Sequence, residues 1–310
     1  MSNQSIIKKI EELKKKRKAV ILVHNYQTAE IQEVADFLGD SLDLSRRAAA
    51  TDAAVIVFCG VSFMAETAAI LAPEKLVLIP DPAAGCPMAD MITAENLRDL
   101  KSEHPGAIVV AYVNSSAAVK AETDICCTSA NAVDVVASLP RDREVIFVPD
   151  KFLGAYVMKK TGRALILCHG YCPVHRDILP EAVVEQRRLH PHALVMVHPE
   201  CPPEVIDLAD EALSTSGMVR VARESDREEF IVGTEVDMLV RLRRENSDKR
   251  FYPANPKALC VDMKKITLEK VLRSLEEEQF EIVVPEEIRR RARRAVDAMV
   301  DGQWTVGSKQ

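Results

Sequence analysis

Short runs of Val, Ile and Leu alternate along this chain with longer segments whose apolar residues recur at helical spacing. The apolar runs predict strands at residues 19–23, 54–58, 144–148 and 229–232, with further strands in AIVVAY, in ALVMV and in third stretches such as KLVLIP and ALILC. The amphipathic segments predict helices at residues 6–16, 94–102 and 180–189. Strands that are apolar along their whole length need cover on both faces, so the pattern predicts small parallel sheets between helices, an α/β fold.

The polar residues that end three of the apolar runs recur with a fixed period. His24, Tyr112 and His198 each follow such a run, at spacings of 88 and 86 residues. Two further sets keep the same step: Ser41, Ser129 and Thr215 at predicted helix starts, and Cys86, Cys172 and Cys260 near the ends of the repeats. A period of this size indicates an internal threefold repeat of one α/β unit.

The repeat divides the chain into three predicted units around a pseudo-threefold axis. The first covers residues 1–87, the second 88–173 and the third 174–261. Residues 262–310 carry no fourth set of signatures. We expect this tail, with helices at 268–278 and 286–299 and a strand at 281–285, to complete the first unit.

Ligands of parallel sheets bind beyond the carboxyl ends of the strands, so the three strand ends predict one shared central cavity. Its predicted wall carries groups that donate to oxyanions or move protons: His24, Tyr26, Tyr112, Asn114, His198 and Glu200. Burial is expected to raise the pKa of Glu200 towards neutrality, as a general base requires. The Ser and Thr residues are either helix caps alone or, facing a cavity, part of a binding site for anionic groups.

The three period-matched cysteines have two possible interpretations. Each is either a buried apolar residue or one thiolate ligand of a shared iron site that leaves one iron open to substrate. They lack the paired spacing of structural zinc sites. The five cysteines without period-matched partners are predicted to be buried apolar residues: Cys59, Cys126, Cys127, Cys168 and Cys201.

Composition narrows the class of protein further. The 310 residues are 47% hydrophobic and 28% charged, as in ordinary globular chains, which excludes disordered and collagen-like classes. A net charge of -6 and the lack of a long apolar run argue against nucleic-acid and membrane partners. The apolar run near the N-terminus is too short for a signal peptide, so we expect a cytoplasmic protein with reduced thiols.

These residues together resemble the quinolinate synthase family, the iron-sulfur enzymes of NAD biosynthesis. The resemblance runs through HNYQTAEIQEVADFLGDSLDLS, FMAETAAIL, CPMAD, YVNSSAAVKAETDICCTSANAV, PDKFLGAYV, GYCPVH, HPECPPEV and FIVGTE. It implies a transferase that condenses iminoaspartate with dihydroxyacetone phosphate, and a hand-over of iminoaspartate from the enzyme that makes it.

The same resemblance implies specific residue roles. A [4Fe-4S] cluster is expected on Cys86, Cys172 and Cys260, with proton transfer by Tyr26, Tyr112, His198 and Glu200. The implied substrate-binding residues are His24, Ser41, Tyr112, Val113, Asn114, Ser129, His198, Pro199, Glu200 and Thr215. The chain departs from the family pattern at Leu213 and Asp237.

Two other functions fit part of the pattern. A non-enzymatic iron-sulfur sensor would use the cysteines without needing the polar strand ends. A hydro-lyase with aconitase-like chemistry would use the open iron but would need no phosphate site.

Overall fold

The computed structural model describes residues 2–302 and contains three four-stranded sheets in which every strand pair is parallel. Each sheet lies within one predicted unit, and in each the first strand of the unit pairs with the second and the third, while the fourth lies beyond the third. The predicted α/β class with three small parallel sheets is confirmed. The exact unit boundaries stay predictions.

The first unit is built from four strands and four helices. Its strands are β1 (Ala19–His24), β2 (Phe37–Gly39), β3 (Val55–Cys59) and β4 (Leu76–Leu78). Its helices are α1 (Asn3–Arg17), α2 (Ala29–Glu33), α3 (Ser41–Ala50) and α4 (Ser62–Leu71).

The second unit repeats this order. Its strands are β5 (Ile108–Tyr112), β6 (Ile125–Cys127), β7 (Val145–Val148) and β8 (Ile166–Leu167). Its helices are α5 (Ala94–Glu103), α6 (Ala117–Ala121), α7 (Ala132–Ser138) and α8 (Lys151–Thr161).

The third unit has the same strand order and one additional short helix. Its helices are α9 (Pro173–Arg176), α10 (Pro180–Leu189), α11 (Pro203–Asp207), α12 (Thr215–Glu224) and α13 (Met238–Glu245). Its strands are β9 (Leu194–Val197), β10 (Glu211–Ala212), β11 (Glu229–Gly233) and β12 (Arg250–Pro253). The tail carries α14 (Leu268–Glu277) and α15 (Glu286–Asp301).

The central strands lie in the interior because their side chains are apolar on both faces. Every residue of β3 and β5 is buried. Helices of the same unit cover these faces, as a parallel sheet requires. Among residues 2–302, none of the helices has both the length and the apolar character needed to cross a bilayer.

Each unit contains one strand more than its sequence pattern predicts. These edge strands, β2, β6 and β10, have only two or three residues, too few to show a period. An aspartate precedes each of them, and its carboxylate accepts a hydrogen bond from a backbone N–H of the unit's first strand. The pairs are Ile21 with Asp36 at 2.7 Å, Val109 with Asp124 at 2.9 Å, and Val195 with Asp210 at 2.8 Å.

The aspartate contact should contribute measurably to stability. We expect Asp124→Ala to lower the free energy of unfolding by about 1–3 kcal/mol, because it leaves the N–H of buried Val109 without its acceptor. Chemical denaturation measures the change, and Asp134→Ala, at an exposed position of α7, is the matched control. Equal stability of the two variants would contradict a structural role for this contact.

The tail packs differently from the sequence expectation in two respects. The strand predicted at 281–285 is wrong: Glu281 makes a single antiparallel bridge with Leu78, and Pro285 caps α15. Helix α14 packs against α1 and β3 of the first unit, as expected. Helix α15 contacts α3 and α4 but also α6 and β6 of the second unit, so it joins two units.

Candidate active site

One cavity of about 250 Å³ lies where the three units meet. Its wall includes all three period-matched sets: His24, Tyr112 and His198; Ser41, Ser129 and Thr215; Cys86, Cys172 and Cys260. Tyr26, Asn114 and Glu200 also line it. The expectation that the three strand ends face one shared cavity is therefore confirmed.

Two residues of the expected substrate-binding set do not line this cavity. Val113 and Pro199 are buried beside it. The backbone N–H of Val113 donates to the carbonyl oxygen of Cys127 at 2.8 Å, which joins the end of β5 to β6. Both residues come after the ends of their strands, β5 at Tyr112 and β9 at Val197, so neither lies in a strand.

The three cavity cysteines share one local structure. Each precedes a short helical turn, and backbone N–H groups two or three positions later lower the pKa of its thiol. The donors are Met88 and Ala89 for Cys86, His175 for Cys172, and Asp262 and Met263 for Cys260. Such bonds stabilise thiolates, which are the form that binds metal.

Burial has the opposite effect on the pKa of these thiols. It raises the pKa of Cys86 to about 12, and it raises the pKa of Cys172 and Cys260 as well. All three thiols are free of disulfides. Three partly buried sulfurs on one cavity wall therefore need a cation to become thiolates, and bound metal would supply that charge.

The remaining five cysteines lie outside the cavity wall. Cys59, Cys126, Cys127 and Cys201 are fully buried, as predicted. Cys168 is only partly buried and packs against Ile146 and its apolar neighbours. These positions are consistent with their interpretation as small apolar residues.

A continuous chain of hydrogen bonds crosses the cavity wall. The hydroxyl groups of Tyr26 and Thr234 are 2.5 Å apart, and Thr234 lies 2.8 Å from Nε2 of His175. Nδ1 of His175 is 2.7 Å from one carboxylate oxygen of Glu200. The other Glu200 oxygen accepts from the hydroxyl of Tyr112 at 2.5 Å. We call these five residues the relay.

Sequence reasoning missed two members of the relay, His175 and Thr234. Both lie in stretches that carried the family resemblance, GYCPVH and FIVGTE, but neither matches a residue at the repeat period. His175 is buried three residues after Cys172. That spacing on a helical turn places its ring beside the cysteine, and it is the one signal that would have identified it.

The expectation of a raised pKa for Glu200 is wrong. Burial does raise it, but the facing His175 and His198 and the hydrogen bonds from His175 and Tyr112 outweigh burial and lower the pKa to about 2. The carboxylate is therefore ionised at neutral pH. It serves as a fixed acceptor for the hydroxyl of Tyr112 and Nδ1–H of His175.

His24 and His198 are neutral rings with the same orientation. Burial lowers the pKa of each to about 3. In both, Nδ1 accepts a backbone N–H from two residues later, Tyr26 at 3.2 Å and Glu200 at 3.3 Å. A neutral imidazole that accepts at Nδ1 carries its proton on Nε2. His24 can therefore donate a hydrogen bond from Nε2 to a ligand in the cavity. Nε2–H of His198 donates to the hydroxyl of Ser129 at 3.1 Å, which leaves that hydroxyl free to donate.

A second buried carboxylate holds the loop of the third cysteine. Glu235 accepts from the backbone N–H of Cys260 at 3.1 Å and pairs with Nζ of Lys264 at 2.7 Å. Lys264 also donates to the backbone carbonyl of Tyr26 at 2.5 Å. These contacts join the loop of Cys260 to the segment that follows β1.

The two departures from the family pattern leave the cavity wall unchanged. The carboxylate of Asp237 lies 2.6 Å from Nζ of Lys264 and adds a second partner for that ammonium. Leu213 packs with the apolar residues around Met218 and beside Gly217, where an added Cβ would lie 3.2 Å from it. Neither side chain lines the cavity.

A second arrangement of metal donors exists in the same wall. One donor atom each from Cys172, His175 and Glu200 lie within 4.8 Å of one another. However, His175 and Glu200 are already bonded to each other at 2.7 Å. The three-cysteine set offers donors of one kind, each with supporting N–H groups, and fits an iron-sulfur cluster better.

Comparisons with known proteins find relatives along nearly the whole chain. The model of the family described as Quinolinate synthetase A protein matches residues 8–301. A quinolinate synthase of Dehalococcoides mccartyi strain BAV1 is 59% identical over 300 residues, covering 97% of this chain and 99% of the relative. Quinolinate synthase 2 of Methanosarcina acetivorans is 53% identical over 305 residues, covering 98% of each. A quinolinate synthase of Geobacter metallireducens is 54% identical over 300 residues, covering 97% and 98%.

Proposed function

We propose a defined reaction for this chain, which belongs to the quinolinate synthetase A family: condensation of iminoaspartate with dihydroxyacetone phosphate to quinolinate, with release of phosphate and water. This makes the chain a transferase of NAD biosynthesis. The observation that carries the proposal is that one cavity contains three cysteines together with neutral histidines, hydroxyls and the relay, contributed by all three units.

The cofactor proposed for this cavity is a [4Fe-4S] cluster on Cys86, Cys172 and Cys260. The residues fit it because their sulfurs share one wall and backbone N–H groups lower the pKa of each thiol. When bound, such a cluster supplies an iron without a thiolate ligand, which polarises a hydroxyl or carbonyl as a Lewis acid.

The proposed substrates bring three anionic groups, two carboxylates and one phosphate. The wall offers matching donors: Nε2–H of His24, the amide of Asn114, and the hydroxyls of Ser41, Ser129 and Thr215. These groups bind and orient the substrates by donating to anionic oxygens. His198 is 3.1 Å from the hydroxyl of Ser129, so the second and third units share one part of this site.

Proton transfer is assigned to the relay. Burial raises the pKa of Tyr26 and of Tyr112, so both phenols keep their protons and act as acids. Thr234 connects the Tyr26 hydroxyl to Nε2 of His175, and this path returns a proton to Tyr26 when the ring carries one on Nε2. The ionised Glu200 faces Nδ1 of His175 and holds the Tyr112 hydroxyl in place.

Product analysis tests the proposed reaction. The anaerobically reconstituted chain, given iminoaspartate and dihydroxyacetone phosphate, is expected to form quinolinate and phosphate in equal amounts, measured by chromatography and phosphate assay. Omission of the triose phosphate is the control and should give no product. Dehydration of a polyacid without use of the triose phosphate would instead identify a hydro-lyase, and cluster loading without any turnover would identify a sensor.

We also propose a cellular setting and a supplier. Eight free thiols suit the reducing cytoplasm. The imine substrate would come by hand-over from the enzyme that produces it.

A further inference from the structure

A buried amide lies between two residues of the cavity wall. Asn25 is fully buried between His24 and Tyr26. Its Nδ2 donates to Oγ1 of Thr215 at 2.8 Å, and its Oδ1 accepts from Nη1 of Arg241 at 2.8 Å. A guanidinium only donates, so Arg241 fixes which end of the amide faces Thr215.

This orientation decides what the hydroxyl of Thr215 can do. A hydroxyl that accepts at one lone pair keeps its own proton for a different partner. Thr215 is the first residue of α12 and lines the cavity. Because Asn25 donates to it, its O–H is left to donate to a ligand in the cavity.

Arg241 is itself held by contacts from two units. Its Nη1 also donates to the carbonyl oxygen of Leu38 in β2 at 3.1 Å, and its Nε pairs with Glu245 on its own helix at 2.7 Å. The side chain thus reaches from α13 of the third unit into the first. Whether the Thr215 hydroxyl donates or accepts in the cavity therefore depends on contacts between the first and third units.

We propose that Arg241 and Asn25 are positioning residues that make Thr215 a hydrogen-bond donor to an anionic oxygen of the bound ligand. This rests on the proposed function for the identity of the ligand, since carboxylate and phosphate oxygens share the required chemistry. Neither residue touches the ligand. Each acts through the hydroxyl of Thr215.

A double-mutant cycle between Arg241→Leu and Thr215→Val tests the proposal. The probe is quinolinate, and its dissociation constant is measured by calorimetry on the anaerobically loaded protein. Arg241→Leu alone is expected to weaken binding about tenfold or more, because a hydrogen bond to a charged group loses its fixed donor. In the Thr215→Val background the same change should weaken binding little further.

Two more variants separate positioning from general damage. Asn25→Asp keeps a partner for Arg241 but reverses the hydrogen bond with Thr215. A carboxylate only accepts, so the Thr215 hydroxyl must donate to it and no longer to the ligand. This variant should weaken binding at least as much as Arg241→Leu while iron and sulfide content stay unchanged. Arg243→Leu is the matched control on the same helix, because Arg243 donates to the carbonyl of Phe251 instead and should leave binding unchanged.

The outcomes distinguish this inference from the proposed function. Equal weakening by Arg241→Leu in both backgrounds, equal weakening by Arg243→Leu, or no binding of quinolinate by the unmodified protein would overturn the inference. Quinolinate formation by the unmodified protein is scored separately. A chain that shows the coupled cycle but makes no quinolinate supports the inference and refutes the function.

Discussion

Anaerobic reconstitution of Cys86→Ala, Cys172→Ala and Cys260→Ala should give chains without the brown iron-sulfur chromophore and without detectable turnover. Each change removes one of only three proposed thiolate ligands, and a cluster bound through two would be lost. Absorption spectra and iron content measure the result. The effect should be the same for all three, because the three sulfurs have equivalent positions at the starts of helical turns.

Cys168→Ala is the matched control for these variants. Cys168 precedes Cys172 by four residues but lies outside the cavity wall. Its variant should load the cluster normally. Retention of the chromophore by any of the three cavity variants, or its loss in Cys168→Ala, would overturn the ligand assignment.

Glu200→Gln should keep its cluster and its substrate affinity while turnover falls about 100-fold or more, the usual contribution of a proton-transfer group. The carboxylate accepts from Tyr112 and His175 at once. An amide keeps the volume but carries no charge, and its NH2 end cannot accept. The relay is therefore interrupted between the two residues, and kcat rather than KM should change.

The assay follows quinolinate formation by the anaerobically loaded variant after its chromophore has been confirmed. Glu204→Gln, at an exposed position on α11, is the control and should behave as the unmodified chain. Unchanged turnover by Glu200→Gln with an intact cluster would remove Glu200 from the mechanism. Tyr26 and Tyr112 would then remain as the proton-transfer groups.

The sequence was sufficient to predict the parts of the site that repeat. A period near 87 residues placed His24, Tyr112 and His198 at equivalent strand ends, and parallel strands bring equivalent ends to one edge. The cysteine and hydroxyl sets followed from the same period. Each of these predictions concerned a position that the fold generates three times.

The parts that do not repeat could not be predicted in the same way. His175 and Thr234 join the relay through contacts that occur once, between residues 59 positions apart. The pKa of Glu200 depends on these contacts, so burial alone gave the wrong direction. The tail strand at 281–285 was wrong because, within residues 2–302, only Glu281 pairs with another segment, in one bridge to Leu78, and Pro285 already caps α15.

Iron and sulfide content, measured together on the anaerobically reconstituted chain, tests most directly the claim that three units converge to hold one cluster. The account predicts iron and sulfide in equal amounts, four of each per chain, with the absorption and magnetic spectra of a [4Fe-4S] cluster. A single iron without sulfide would contradict it and would instead place a mononuclear metal at Cys172, His175 and Glu200.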